Sequence, residues 1–187
     1  KIVQRNYLNC SAEISSNFGL HPKSYFLFFG SLEPKKNIGR LIEAFLASGC
    51  KRKLVLVGGR SWKSERELRY LERGIAIGKI ILIDYLPEST LFSLLRLSRA
   101  LIFPSLSEGF GLPVLEAMNA GVPTLISNEG ALPEIGGDAS LKTDAYDVDA
   151  IAKAIFTLDH DDILCDKLIA AGRIQAAKFD MASYCKR

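Results

Sequence analysis

The chain has 187 residues, the length of one domain or of one domain with a small appendage. Hydrophobic residues make up 48% and charged residues 24%, too apolar a balance for an intrinsically disordered segment, yet no run approaches the roughly 20 residues of a membrane-spanning helix. The net charge of +3 conceals an asymmetry: residues 1–99 hold 17 Lys+Arg against 8 Asp+Glu, a net of +9, and residues 100–187 hold 7 against 13, a net of −6.

Residues 1–24 show weak periodicity and are read as a connecting segment entering the domain. The first residue is Lys1, not Met, and no apolar leader follows, so the chain is expected to be a fragment of something longer. Residues 25–187 are expected to form one domain. Five short apolar runs punctuate it: Tyr25–Phe29, Leu54–Val57, Ile80–Ile83, Ala100–Phe103 and Thr124–Ile126. They are continuous rather than alternating, as strands buried on both faces of a parallel sheet are. Residues 140–143 are a candidate sixth strand.

Helical period fills the gaps. Ile38, Leu41, Ile42 and Phe45 recur at i, i+3, i+4 and i+7 behind Asn37, read as an N-cap. Leu91, Leu94 and Leu95 follow Pro87, and Val148, Ile151, Ala152 and Ile155 follow Asp147, another cap residue. The last 40 or so residues read as two helices broken near Asp159–Asp162. Strands separated by crossover helices predict a doubly wound, mostly parallel α/β sheet of about six strands, a Rossmann-like layer. Ligands bind such sheets outside the carboxyl ends of the strands. The segments after each run therefore carry the most functional weight: Gly30–Asn37, Gly58–Arg60, Asp84–Glu88, Pro104–Gly111 and Ser127–Gly130.

Two of these segments have the makings of an anion site. In Ser105-Leu-Ser-Glu108-Gly-Phe-Gly-Leu-Pro113-Val-Leu-Glu116, glycines permit close backbone approach and Pro113 suits the first position of a helix. Free N–H groups at such a helix start point at a ligand. Glu108 before the helix and Glu116, expected in its first turn, can face one crevice. A tight turn with Glu116 complementing the helix dipole is an equally good reading. In Gly30-Ser-Leu-Glu-Pro-Lys35-Lys36-Asn37, two ammonium groups stand beside a second helix start, or form a solvated turn. Both segments at one sheet edge favour a phosphate-bearing ligand. A basic half can steer such a ligand, nucleic acid or an anionic membrane, and a solvated basic face from Arg60 to Lys79 accounts for it as well. There is no basic–aromatic interleaving and no zinc-finger spacing, so no nucleic-acid partner is expected. G-x-G-x-x-G after a strand and G-x4-G-K-[ST] are both missing, which argues against a dehydrogenase and a P-loop ATPase.

These segments, with Gly121-Val-Pro and Leu132-Pro-Glu-Ile-Gly-Gly-Asp-Ala, closely resemble the family 4 retaining glycosyltransferases, from about Tyr25 to Leu158. The E-x7-E pair of Glu108 and Glu116 around Phe-Gly-Leu-Pro carries most of that resemblance. It extends to the C-terminal, donor-binding half of a two-domain GT-B enzyme, with no counterpart of the N-terminal acceptor half. The resemblance implies a nucleotide-diphospho-sugar donor, a UDP- or GDP-sugar, with no further cofactor and no bound metal. It implies Glu108 as the catalytic carboxylate at the donor sugar and Lys36 at the diphosphate. Gly109, Phe110, Gly111 and Leu112 would offer backbone N–H groups, and Glu116 would bind the ribose. Leu86 and Glu88 would line the base pocket. Ser31 stands where the family often has arginine, and Asp84 where many relatives have glycine. The implied setting is assembly of a glycan or surface polysaccharide. The acceptor would be a glycan or lipid-linked glycan held by the other half, in the cytoplasm or at the inner face of the membrane, and this chain alone would transfer no sugar. A nucleotide-sugar epimerase of the same fold and a non-catalytic sugar-nucleotide-binding module remain alternatives.

The other candidates have plainer readings. Cysteines 10, 50, 165 and 185 show no C-x2-C pair and read as reduced thiols of a cytosolic protein. Asp147-Val-Asp149 and Asp159-His-Asp161 look like metal motifs but each precedes a helix, so they are read as caps. His21 and His160 have no nucleophile partner in sequence and read as surface residues. Trp62 is read as packing on the following helix.

Overall fold

The computed structural model describes residues 12–59 and 69–179. Residues 12–18 form a short helix, and Ile14 and the following Leu20 are buried in the core. Six strands then alternate with helices: β1 (Tyr25–Phe29), α1 (Ile38–Ala47), β2 (Lys53–Val57), α2 (Leu71–Ala76), β3 (Ile80–Ile83), α3 (Glu88–Leu97), β4 (Leu101–Phe103), α4 (Leu112–Asn119), β5 (Thr124–Ser127), α5 (Leu132–Gly136) and β6 (Leu141–Thr143). Two long helices, α6 (Val148–His160) and α7 (Asp162–Ala177), close the domain.

The strands form one parallel sheet in the order β3-β2-β1-β4-β5-β6. The apolar runs dictate this: every residue of β1, β4 and β5 is buried, so neither face of the sheet's centre meets water. Phe28 of β1 stacks on Phe103 of β4 with ring centroids 5.6 Å apart, packing together the two strands at which the chain reverses direction across the sheet. The connections after β1 and β4 leave the sheet at this switch point, the place where folds of this kind bind their ligands. The two segments singled out by their glycines and charges are the ones that follow β1 and β4.

The broken C-terminal helical pair is present, and its caps differ in kind. Asp147 Oδ1 accepts from the N–H groups of Asp149 and Ala150, and Asp161 Oδ1 accepts from Leu164 N–H, so both cap helices. Asp159 does not. It is buried, and its carboxylate pairs with Arg52 at 2.5 Å. Asn37 also departs from expectation: it occupies the cap position of α1, but its side chain makes no cap hydrogen bond and its backbone is left-handed, φ 60°. The basic stretch from Arg60 onward lies in large part outside the described residues, as do Trp62, Cys10 and Cys185. Cys50 and Cys165 are free and buried, and burial raises the pKa of both thiols.

Candidate functional site

The first segment leaves β1 at Gly30, whose carbonyl lies so close to Gly58 that a Cβ there would sit 2.0 Å from it. Only glycine fits at Gly58, where φ is +148°. The chain then turns through a 3-10 turn at Pro34–Lys36 into the left-handed Asn37 and α1. Ser31, at the start of this segment, is exposed. Lys35 points outward to an exposed ion pair with Glu33 at 3.3 Å. Lys36 turns inward: its ammonium lies 5.2 Å from the centroid of the Phe103 ring and donates to Glu108 Oε1. The side chains are 14% and 11% exposed, so water screens this pair far less than it screens the Lys35 pair.

The second segment leaves β4 at Phe103 and reaches α4 through Gly111, which takes φ 89° at the cap position. Its N–H groups at Gly109, Phe110, Gly111 and Leu112 make no hydrogen bond among the described residues. Left without a partner among the described residues, they stand at the positive end of an eight-residue helix, the local makings of an anion cradle. Gly109 and Leu112 are exposed, and the Phe110 ring lies edge-on to Phe179 with centroids 6.2 Å apart. The segment is braced from behind by the one after β5. Ala131 N–H donates to Glu108 O at 3.4 Å, and Ser127 Oγ donates to Ser105 O. Gly130, φ 59°, lies where a Cβ would come within 3.2 Å of the Glu108 backbone.

Glu116 stands one residue further along α4 than expected, at the start of its second turn. Leu112 begins the helix, with Pro113 second, and the first turn holds no acidic residue. A dipole role in the first turn is therefore set aside. The Glu116 carboxyl is pushed above the usual carboxylate range, first by burial and second by the Glu88 carboxylate at the start of α3. Lys36 and Glu108 thus meet directly, and Glu116 is coupled electrostatically to Glu88. Leu86 is half-buried against the core, while its neighbours Asp84 and Tyr85 are exposed. Among the described residues no cluster of three or more His, Cys, Asp or Glu could hold a metal ion. No described helix is long and apolar enough to cross a membrane.

One site-forming residue was legible in sequence only as a cap. Asn37, fully buried, donates from Nδ2 to the carbonyls of Pro104 at 3.1 Å and Ala145 at 2.7 Å. The signal available was local, whereas both partners lie far along the chain.

The model of the family "Glycosyl transferases group 1" matches residues 12–175. "O-antigen chain mannosyltransferase B" of Escherichia coli is 39% identical over 161 residues, covering 84% of this chain and 42% of that protein. "Serotype-specific mannosyltransferase WbdA", also of Escherichia coli, is 34% identical over 168 residues, covering 87% of this chain and 21% of that protein. The chain thus spans less than half the length of these relatives. Among solved structures, Anabaena Alr3699/HepE in complex with UDP and glucose superposes with a TM-score of 0.77 at 18% identity, over 91% of this chain and 48% of that one. That likeness establishes the fold.

Proposed function

The chain belongs to the group 1 glycosyl transferases, and from that membership we propose that it is the donor-binding domain of a retaining glycosyltransferase. The donor is a nucleotide-diphospho-sugar, and the names of the curated relatives favour a mannosyl unit for assembly of a surface glycan. The observation that carries the proposal is the meeting of Lys36 with Glu108 beside the unpaired N–H groups that open α4.

The chemistry follows from where charge develops. As the bond from sugar to diphosphate breaks, negative charge grows on the leaving oxygen and positive charge on the sugar ring. Lys36 and the α4 N-terminus stabilise the first, and the fixed Glu108 carboxylate stabilises the second. Because the Lys36 and Glu108 side chains are largely withdrawn from water, these interactions act at lower effective dielectric than surface charges do. Glu116 takes the ribose hydroxyls, and Leu86 and Glu88 flank the base. An acceptor glycan, free or lipid-linked, would be held by the remainder of a two-domain enzyme at the inner face of the cytoplasmic membrane.

Titration calorimetry of the 187-residue chain with UDP and GDP tests the reading. One of the two is expected to bind, and at ~100 Kd of ligand to stabilise the fold by about 2.7 kcal/mol. Absence of heat and of any melting shift with millimolar UDP and GDP would refute it.

A further inference from the structure

Lys36 is held on both sides by the segment that ends in Glu108. On one side, the carbonyl of Lys35 accepts from Leu106 N–H at 2.8 Å. On the other, Asn37 Nδ2 donates to Pro104 O at 3.1 Å, and a second bond from the same nitrogen reaches Ala145 O at 2.7 Å. The amide has no freedom to flip. Arg40 Nη1 donates to Asn37 Oδ1 at 3.1 Å, so the oxygen faces a cation and the nitrogen faces two carbonyls. Arg40 is itself seated over the Tyr146 ring, 5.4 Å from its centroid. One buried side chain therefore ties the connections after β1, β4 and β6 together, and its left-handed backbone lies immediately after the lysine.

The geometry points to Asn37 as a positioning residue of the donor site: a three-way clamp that sets the ammonium of Lys36 against the Glu108 segment and so delivers it to the diphosphate. The inference rests on the donor-site reading above and adds to it a residue that touches neither donor nor sugar. The clamp acts through donor N–H groups at a left-handed position, which few side chains supply. Asp tolerates the backbone but turns an acceptor toward two carbonyls, and Gly keeps the backbone while removing the clamp.

The test is a double-mutant cycle on the 187-residue chain, with UDP or GDP, whichever binds the parent more tightly, as the probe. Asn37→Asp is expected to weaken binding at least tenfold in the parent and less than twofold in a Lys36→Ala background, because the clamp then has no ammonium to place. A merely structural role would weaken both backgrounds by the same factor. Asn37→Gly serves if Asn37→Asp fails to fold, with the same pair of expectations. Equal losses in the two backgrounds, or parental affinity for Asn37→Gly, would overturn the clamp while leaving the donor site standing. Failure of the parent to bind either nucleotide would sink the donor-site reading, and the clamp with it.

Discussion

At the amino edge of the sheet, Arg52 and Asp159 are bound to everything near them. Arg52 donates from Nε to Lys23 O at 2.7 Å and from Nη1 to both the carbonyl and the carboxylate of Asp159, at 2.7 and 2.5 Å. Asp159 also lies within reach of Lys51 N–H and His160. At the carboxyl edge, Lys36 has one acceptor among the described residues, Glu108, and a ring face, and the N–H groups beside it bond to none of them. Both edges hold a cation paired with a largely buried carboxylate. One set makes several bonds within the protein and holds elements together. The other keeps donors in reserve, which is what a site for an incoming anion requires.

Substitutions should separate the two edges, the largest effect on stability coming from the amino one. Arg52→Leu leaves the Asp159 carboxylate, 2% exposed, without its cation. A loss of about 3 kcal/mol is expected, a fall in Tm of roughly 6–12 °C by calorimetry, with nucleotide affinity unchanged in the chain that still folds. At the other edge, Glu108→Gln should do the reverse. In a two-domain enzyme carrying this chain as its donor half, kcat/KM for transfer should fall about 10²–10³-fold, or about 2.7–4 kcal/mol, while stability changes by no more than about 1 kcal/mol. Retention of full transfer would place the charge stabilisation elsewhere.

Within the carboxyl edge, Lys36→Ala should weaken nucleoside diphosphate binding by about 1.5–3 kcal/mol, the worth of one charge-assisted contact. Lys35→Ala removes only an exposed pair with Glu33 and should leave affinity within about twofold. Equal effects on titration would mean that the lysines act as diffuse surface charge.

The smallest effect concerns Glu116. Its folded-state pKa is raised, so its ionisation opposes folding: the penalty is missing below the ordinary carboxylate range and grows as pH rises through the raised value. Glu88→Gln removes one of the two causes. A gain of no more than about 0.5 kcal/mol is expected near neutral pH, discounted because Glu116 is only partly withdrawn from water, and none near pH 3. Urea midpoints at the two pH values measure the difference.

The same contrast explains what could be read in the sequence. Strands buried on both faces must be continuous apolar runs, so β1 to β5 were visible almost residue for residue, and the glycines and charges after β1 and β4 drew attention to the edge where Lys36 meets Glu108. The amino edge was hidden, because Asp159 looked like a helix cap and its partner lies 107 residues away. The work of Asn37 was hidden for the same reason: Ala145 is 108 residues distant, and its local pattern fits a cap equally well. The short helix at residues 12–18 gave no periodic signal, since it sets little more than Ile14 into the core. Glu116 fell just outside the first turn because α4 begins one residue earlier than Pro113, and helix starts are poorly fixed by propensity alone.

Helix α6 runs between the two edges. Its first turn follows directly on Ala145 and Tyr146, which Asn37 and Arg40 hold, and its last turn carries Asp159, which Arg52 holds. At 1.5 Å per residue its 13 residues span roughly 20 Å. A helix ordinarily frays from whichever end is loose, and this one is fastened at both. Its amide protons should therefore resist solvent exchange until the sheet itself comes apart, making α6 a reporter of global opening rather than of local breathing. Cutting the Arg52 fastening should convert its final turn to fast exchange while the turn behind Asn37 stays slow, and hydrogen–deuterium exchange on the two ends would show it.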